Sequence, residues 1–288
     1  MRSTRSLALA AALPALLALS ACSSGAPEAS GAESSDCEVY GEKGSIDIAP
    51  AAKGELTVQT NLPSPGWWKG TTPESIAGGF EYCLAVNVAH RAGIDKVRVE
   101  NVSFDALVAG QTKDYDMAMA QISVTPERQE VVQFSEPYFD SDIGVLAKAD
   151  SDISADNIQS KTLGVLVGTT AVAYVKDTIK PSGDVKTFRD QNAMITAVRS
   201  GAIDAAIQDT SIVLAFAGGS NGDLEVKGQY SSGEHYAAIY PHGSKNAAAI
   251  DSALADMRED GTLDKLSGTW LGPELGGDPN AVARWDEN

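Results

Sequence analysis

Alternating and helically spaced apolar positions divide the chain from Gly54 onward into two series of elements. Glu55-Leu56-Thr57-Val58-Gln59-Thr60 alternates and predicts a strand. Phe80, Leu84 and Val88 recur at helical spacing, and Gly93 is placed to end that helix. Val97 and Val99 alternate with Lys96, Arg98 and Glu100 in a second strand, and a short helix over Phe104–Ala109 leads to a strand over Asp116–Ala120. The unit then repeats: strand Thr162–Val167, helix Thr170–Asp177, strand Val185–Phe188, helix Asn192–Arg199 and the apolar strand from Ala202 to Ile207, which leads into Asp209. Tyr236–Tyr240 predicts a late strand; Ile250, Leu254 and Met257 mark a helix, with a short last one through Leu263 and Leu266. Strands alternating with helices predict parallel-rich α/β sheets. The extended segment Asp142–Lys148 separates the series and is placed to pass between two lobes.

The first 53 residues have another character. Arg2 and Arg5 precede an apolar run from Leu7 to Ala21, and Leu19-Ser20-Ala21-Cys22 closes it with small residues before a cysteine. A charged start, short apolar core and small-residue cut site define a secretory signal. The run is too short for a hydrocarbon core of about 30 Å at about 1.5 Å per residue. The sequence therefore predicts a signal peptide over 1–21, lipidation at Cys22 and anchoring outside the cytoplasm; an ordinary signal peptide with an incidental cysteine is the alternative. Ser23 to about Asp36 is Ser, Gly, Ala, Glu and Pro, too polar to fold alone, and residues 22–53 are assigned to a flexible tether.

Charge narrows the partners. The full chain carries a formal charge of −17; without Arg2 and Arg5, 20 basic residues face 39 acidic ones, a net of −19. Such a chain repels nucleic acid. No HExxH, Cys/His cluster, Walker loop or Gly-x-Ser-x-Gly elbow occurs, so no metal, cofactor or catalytic site is predicted. Of 3 cysteines, a lipidated Cys22 leaves Cys37 and Cys83. In an oxidising compartment these are expected to pair as a disulfide fastening the start of the mature chain to the first helix, the alternative being two free thiols.

An ordered set of motifs carries a family resemblance. Gly79-Phe80-Glu81, Phe104-Asp105-Ala106-Leu107 and Tyr115-Asp116 come first; Ile122-Ser123-Val124-Thr125-Pro126-Glu127-Arg128 and Phe134-Ser135-Glu136-Pro137-Tyr138 follow. Gly164-Val165, Gly168-Thr169-Thr170, Ser200-Gly201-Ala202-Ile203-Asp204-Ala205 with Asp209, Asp260-Gly261-Thr262 and Trp270 complete it. From about Gly54 to Gly272 the chain resembles bacterial extracellular solute-binding proteins of family 3, the polar amino-acid-binding lipoproteins of ABC importers. The resemblance implies a two-lobed periplasmic-binding-protein-like fold of type II, with residues 54–141 and 236–288 in lobe 1 and 142–235 in lobe 2.

A free amino acid presents a carboxylate and an ammonium. Arg128 can grip a carboxylate through two parallel hydrogen bonds, and the resemblance implies that Ser123 and Arg128 do so from the first lobe; a surface arginine in a first helical turn is the alternative. Gly168-Thr169-Thr170 opens a helix after a strand, where a threonine caps the helix; the family points to Thr170 as the contact and Thr169 as its neighbour. Asp209 ends a strand at the edge where open α/β sheets bind ligands, and the resemblance pairs it with the ammonium; its plainer role is a helix cap. Gln121 is expected to turn its amide into the cleft. The family's usual Pro-Phe region reads here as Asn61 to Lys69, with Pro63-Ser64-Pro65-Gly66-Trp67-Trp68 inside it. Asn61 is expected at the ligand, with Trp67 as an apolar wall and Trp68 or Lys69 reaching the ligand side chain; the alternative is that both tryptophans pack on the lobe. Cys83 stands where the family usually has an acidic residue.

The expected function is capture of an amino acid in an interlobe cleft by a monomeric, lipid-anchored protein, and delivery to the permease subunits of an ABC transporter. Rival expectations are a ligand-sensing module and, on the same fold, a dehydratase using Glu81, Glu234 or His235.

Overall fold

A computed structural model describes residues 35–285; the signal peptide, Cys22 and the first part of the tether lie outside the described residues. The chain begins with β1 (Leu56–Thr60), whose side chains are all buried. It continues through α1 (Phe80–Arg91), β2 (Val97–Asn101), α2 (Phe104–Val108), β3 (Met117–Ala118), α3 (Pro126–Gln129) and β4 (Gln133–Phe134). It crosses through β5 (Phe139–Lys148) to β6 (Leu163–Leu166), α4 (Thr170–Tyr174), β7 (Val185–Phe188), α5 (Gln191–Ser200), β8 (Ala205–Asp209) and α6 (Thr210–Gly218). It returns along β9 (Leu224–Tyr236) to β10 (Ile239–Tyr240), α7 (Ala247–Glu259) and α8 (Thr262–Leu275).

Two five-stranded sheets result, ordered β2-β1-β3-β10-β4 and β7-β6-β8-β5-β9. Parallel pairing joins β1 to β2 and β3, and β6 to β7 and β8. The strands that carry the chain between sheets run antiparallel: β5 pairs with β9 from Phe139–Tyr236 to Lys148–Leu224, and also with β8. This is the two-lobed type II arrangement. In the second sheet the central strands β6 and β8 are buried along their whole length. Ile143, Val145 and Ala147 of β5 face one core cluster with Leu163, Val165 and Ile207, while Leu146 faces another with Met194, Val198 and Val213. Around the first sheet, α1, α7 and α8 supply Phe80, Leu84, Ile250, Leu254 and Leu266 to the largest cluster.

Local chemistry sets the ends of several elements. Asp190 caps α5, accepting from the Ala193 N–H at 2.7 Å, and Gly201 closes it in the left-handed region at φ 73°. Gly79 precedes α1 at φ 111°, where a Cβ would also overlap the Trp67 carbonyl.

The end segments depart from the expected division. Residues 35–53 are held against the folded body, not free, because α1 offers them specific partners. Cys37 and Cys83 form a disulfide with Cα atoms 5.2 Å apart. Asn87 accepts from the Tyr40 N–H at 2.7 Å and donates to the Glu38 carbonyl at 3.0 Å. The final helix is longer than expected, continuing to Leu275 with Pro273 inside it. Beyond it, the tail leaves the first sheet and docks on the second: Gln229 exchanges backbone bonds with Ala283 and Trp285, and Arg284 pairs with Asp142 at 2.8 Å.

Candidate functional site

The carboxyl end of β8, the start of α4 and the segments after β1 and β3 converge on a small cavity. Asn61, Ser64, Phe104, Gln121, Ser123, Arg128, Thr169, Thr170, Gln191, Gln208 and Asp209 line it. Seven of the eight residues singled out in the sequence thus meet at one place, from segments more than a hundred residues apart.

Arg128 follows the capped turn Thr125-Pro126-Glu127, where Thr125 accepts from the Arg128 N–H at 3.2 Å. The residue is 8% exposed. It donates to the Ser123 carbonyl at 2.6 Å and the Gly168 carbonyl at 2.9 Å, and lies 5.6 Å from the centre of the Phe104 ring. Among the described residues it forms no ion pair. Burial therefore pulls its pKa down, against the nearby charges of Asp209, Glu234 and Glu127. A buried guanidinium without a carboxylate partner favours an incoming anion.

Asp209 is buried, and the Tyr236 hydroxyl donates to its Oδ2 at 2.6 Å. Burial first, and then the charge of Glu234, push its pKa up to about 7. Its carboxylate does not cap α6; it is free to meet a cation in the cavity. Thr169 occupies the N-cap position of α4, but its hydroxyl donates to the Leu166 carbonyl at 2.8 Å and caps nothing.

Gln121 sits in the left-handed region at φ 51°. Its Oε1 accepts from the Ser64 hydroxyl at 2.6 Å, and its Nε2 and N–H donate to Glu81 at 2.5 and 2.9 Å. The amide is thus clamped at the wall, not loose in the cleft. Glu81 also accepts from the Trp68 indole at 2.7 Å and from the Tyr138 hydroxyl. Burial pushes this carboxyl up to about 7 against the lowering effect of those donors. Asn61 donates its amide to the Val102 carbonyl at 2.8 Å.

Trp67 does not reach the cavity. Its indole is fully buried beside Phe80, Phe139 and Tyr236, with ring centres 5.5, 5.0 and 5.5 Å away. The physical reason is apolar: a large ring buries more surface in that cluster than at a polar wall. Trp67 supports the site indirectly, through the Tyr236 ring that holds Asp209.

Sequence reading missed three side chains. Gln191, first in α5, and Gln208, beside Asp209 in β8, meet through a 2.8 Å amide hydrogen bond; the strand-end rule that singled out Asp209 applies equally to its neighbour. Glu234, considered only for the dehydratase alternative, accepts from the Ser123 hydroxyl and, at 2.8 Å, from the Thr170 hydroxyl. Among the described residues no cluster of His, Cys, Asp and Glu is arranged to hold a metal, and no helix is long and apolar enough to cross a membrane.

A cleft between two α/β sheets, with a buried cation and a buried carboxylate facing the same space, defines a solute-binding protein. The chain belongs to the bacterial extracellular solute-binding proteins, family 3, whose model matches residues 69–273. It is 28% identical over 202 residues to the L-cystine-binding protein TcyJ of Escherichia coli K12, covering 68% of this chain and 75% of that protein. It is 29% identical over 178 residues to the ABC transporter arginine-binding protein 1 of the same organism, covering 59% and 72%. An ancestral arginine-binding protein bound to arginine superposes with a TM-score of 0.68 at 30% identity, over 76% of this chain and 98% of the other.

Proposed function

We propose that this protein captures a free amino acid in the cleft between its sheets and presents it to the permease of an ABC importer. The observation that carries the reading is the opposition of Arg128 and Asp209 across one cavity. A zwitterion satisfies both: its carboxylate meets the guanidinium with the Ser123 and Thr170 hydroxyls, and its ammonium meets Asp209. Relatives whose names record cystine and arginine binding support the same class of ligand.

Binding proceeds without covalent chemistry. Ser123 and Arg128 stand with the first sheet, Thr170 and Asp209 with the second, so only a closed arrangement offers every contact at once. A ligand then stabilises closure through that difference. Residues 54–141 with 236 to about 278 form one lobe and 142–235 the other. Lipid anchoring through Cys22 keeps the monomer at the membrane, within reach of the permease.

Titration calorimetry of the purified protein against the common amino acids tests this. One ligand binds tightly, and Arg128→Ala loses it with the melting curve intact. Absence of heat across the panel refutes the reading.

A further inference from the structure

The cavity contains more recognition chemistry than a bare zwitterion uses. Its ionisable lining residues among those described are Arg128 and Asp209 alone. Both are committed to the backbone groups of the ligand. The rest of the lining is neutral, and four of its members are amides: Asn61, Gln121, Gln191 and Gln208.

Two of these amides are in an unusual state. Gln191 and Gln208 are 6% and 4% exposed, and they share one hydrogen bond. A carboxamide has two donors and a carbonyl acceptor. Joining two side-chain amides through one N–H···O contact consumes the donor side of one and the acceptor side of the other. One carbonyl oxygen and one NH2 group therefore remain at the cavity wall, and this holds equally if both amides are reversed together.

We infer that the ligand side chain is uncharged and carries a carboxamide, recognised by the free carbonyl and free NH2 of the Gln191–Gln208 pair. This rests on the proposed amino-acid-binding role of the same cavity. A carboxamide offers one acceptor and one donor set, the complement of what the glutamine pair leaves open. A cationic side chain fits poorly. The lining has a single carboxylate, which cannot neutralise both an α-ammonium and a second cation, and a desolvated charge without a partner is costly. Of the other carboxylates near the cavity, Glu81 lies behind Gln121, receiving four hydrogen bonds, and Glu234 stands at the Ser123 and Thr170 hydroxyls, on the side of the ligand's own carboxylate. An acidic side chain meets amide and hydroxyl partners but no second cation. An aliphatic side chain leaves the glutamine pair unsatisfied, a situation in which built polar sites discriminate strongly.

Calorimetry with the mature chain compares glutamine and asparagine with arginine, lysine, glutamate and leucine. The expected result is that one of the two carboxamide ligands binds at least 10-fold more tightly than each of the other four. Tightest binding of arginine, lysine, glutamate or leucine overturns the inference and leaves the amino-acid-binding reading standing; no binding of any amino acid overturns both. Gln208→Leu and, separately, Gln191→Leu give a second readout. Each is expected to reduce the glutamine-to-leucine affinity ratio about 10-fold or more, whereas a ratio unchanged in both folded variants overturns the inference.

Discussion

The Oε2 of Glu234 lies 2.8 Å from the hydroxyl of Thr170 and accepts the Ser123 hydroxyl as well. One carboxylate oxygen, at the end of β9, thus ties the start of α4 to the segment after β3. The proposed function assigns these two hydroxyls to the ligand carboxylate, and in that reading Glu234 holds them in the ligand's place.

A hydroxyl has a single proton to donate, so Glu234 and a ligand carboxylate compete for it. Their charges also repel: at an effective dielectric of about 20 and a separation of about 5 Å the term is near 3 kcal/mol, which solvent reduces at this half-buried rim. Glu234→Ala should tighten ligand binding roughly 10-fold, measured by calorimetry. Weaker binding would show instead that Glu234 chiefly holds the cleft closed.

Asp209 makes binding pH-dependent. Its pKa is raised to about 7, first by burial and then by the Glu234 charge. A ligand ammonium favours the ionised form and lowers that value, so binding releases a proton when the pH is below about 7. Affinity should fall as the pH drops from 7.5 to 5.5, by at most about 10-fold per unit. Proton release can be read from the heats in buffers of different ionisation enthalpy. Asp209→Asn should bind weakly and lose this slope; a parallel slope in the variant would place the titrating group elsewhere.

Glu81 should impose a slope on stability. Burial raises its folded-state pKa from 4.5 to about 7. Between those values the folded state holds more proton than the unfolded one, so stability falls as pH rises and levels off above about 7. The full shift corresponds to about 3 kcal/mol. Asp209 acts with the same sign. Glu81→Gln should therefore lessen the loss of stability between pH 5 and pH 8, measured by urea unfolding, without removing it. An identical slope in variant and wild type would exclude Glu81 as its source.

The disulfide between Cys37 and Cys83 closes a loop with a sequence separation of 46. The chain-entropy relation gives about 4 kcal/mol for a loop of this size. Cys37→Ser with Cys83→Ser should lower the melting temperature by roughly 5–15 °C while leaving ligand affinity nearly unchanged, since neither cysteine lines the cavity. Equal melting temperatures would mean that the bridge adds no stability.

Periodicity revealed most elements because core-facing positions repeat within each one. Phe80, Leu84 and Val88 specified α1 from a single helical face, and Val97 with Val99 specified β2. The long β9 escaped notice: Gly228, Gly233 and the Ser231-Ser232 pair interrupt its alternation, and it is held in place by its ladder to β5. Trp67 and Trp68 defeated sequence reading for another reason. Neighbouring tryptophans carry the same local signal, but Trp67 enters an aromatic cluster formed with β5 and β9, while Trp68 donates to Glu81.

The sequence by itself determined the α/β alternation, because core-facing spacing is written in one dimension, and its family motifs singled out Arg128, Thr170 and Asp209 as candidates. Tertiary structure alone decided that Gln191 meets Gln208, that Glu234 reaches Ser123 and Thr170, and that Trp67 leaves the site. Each depends on strands and loops far apart in the chain being brought within hydrogen-bond or van der Waals distance, which no local pattern encodes.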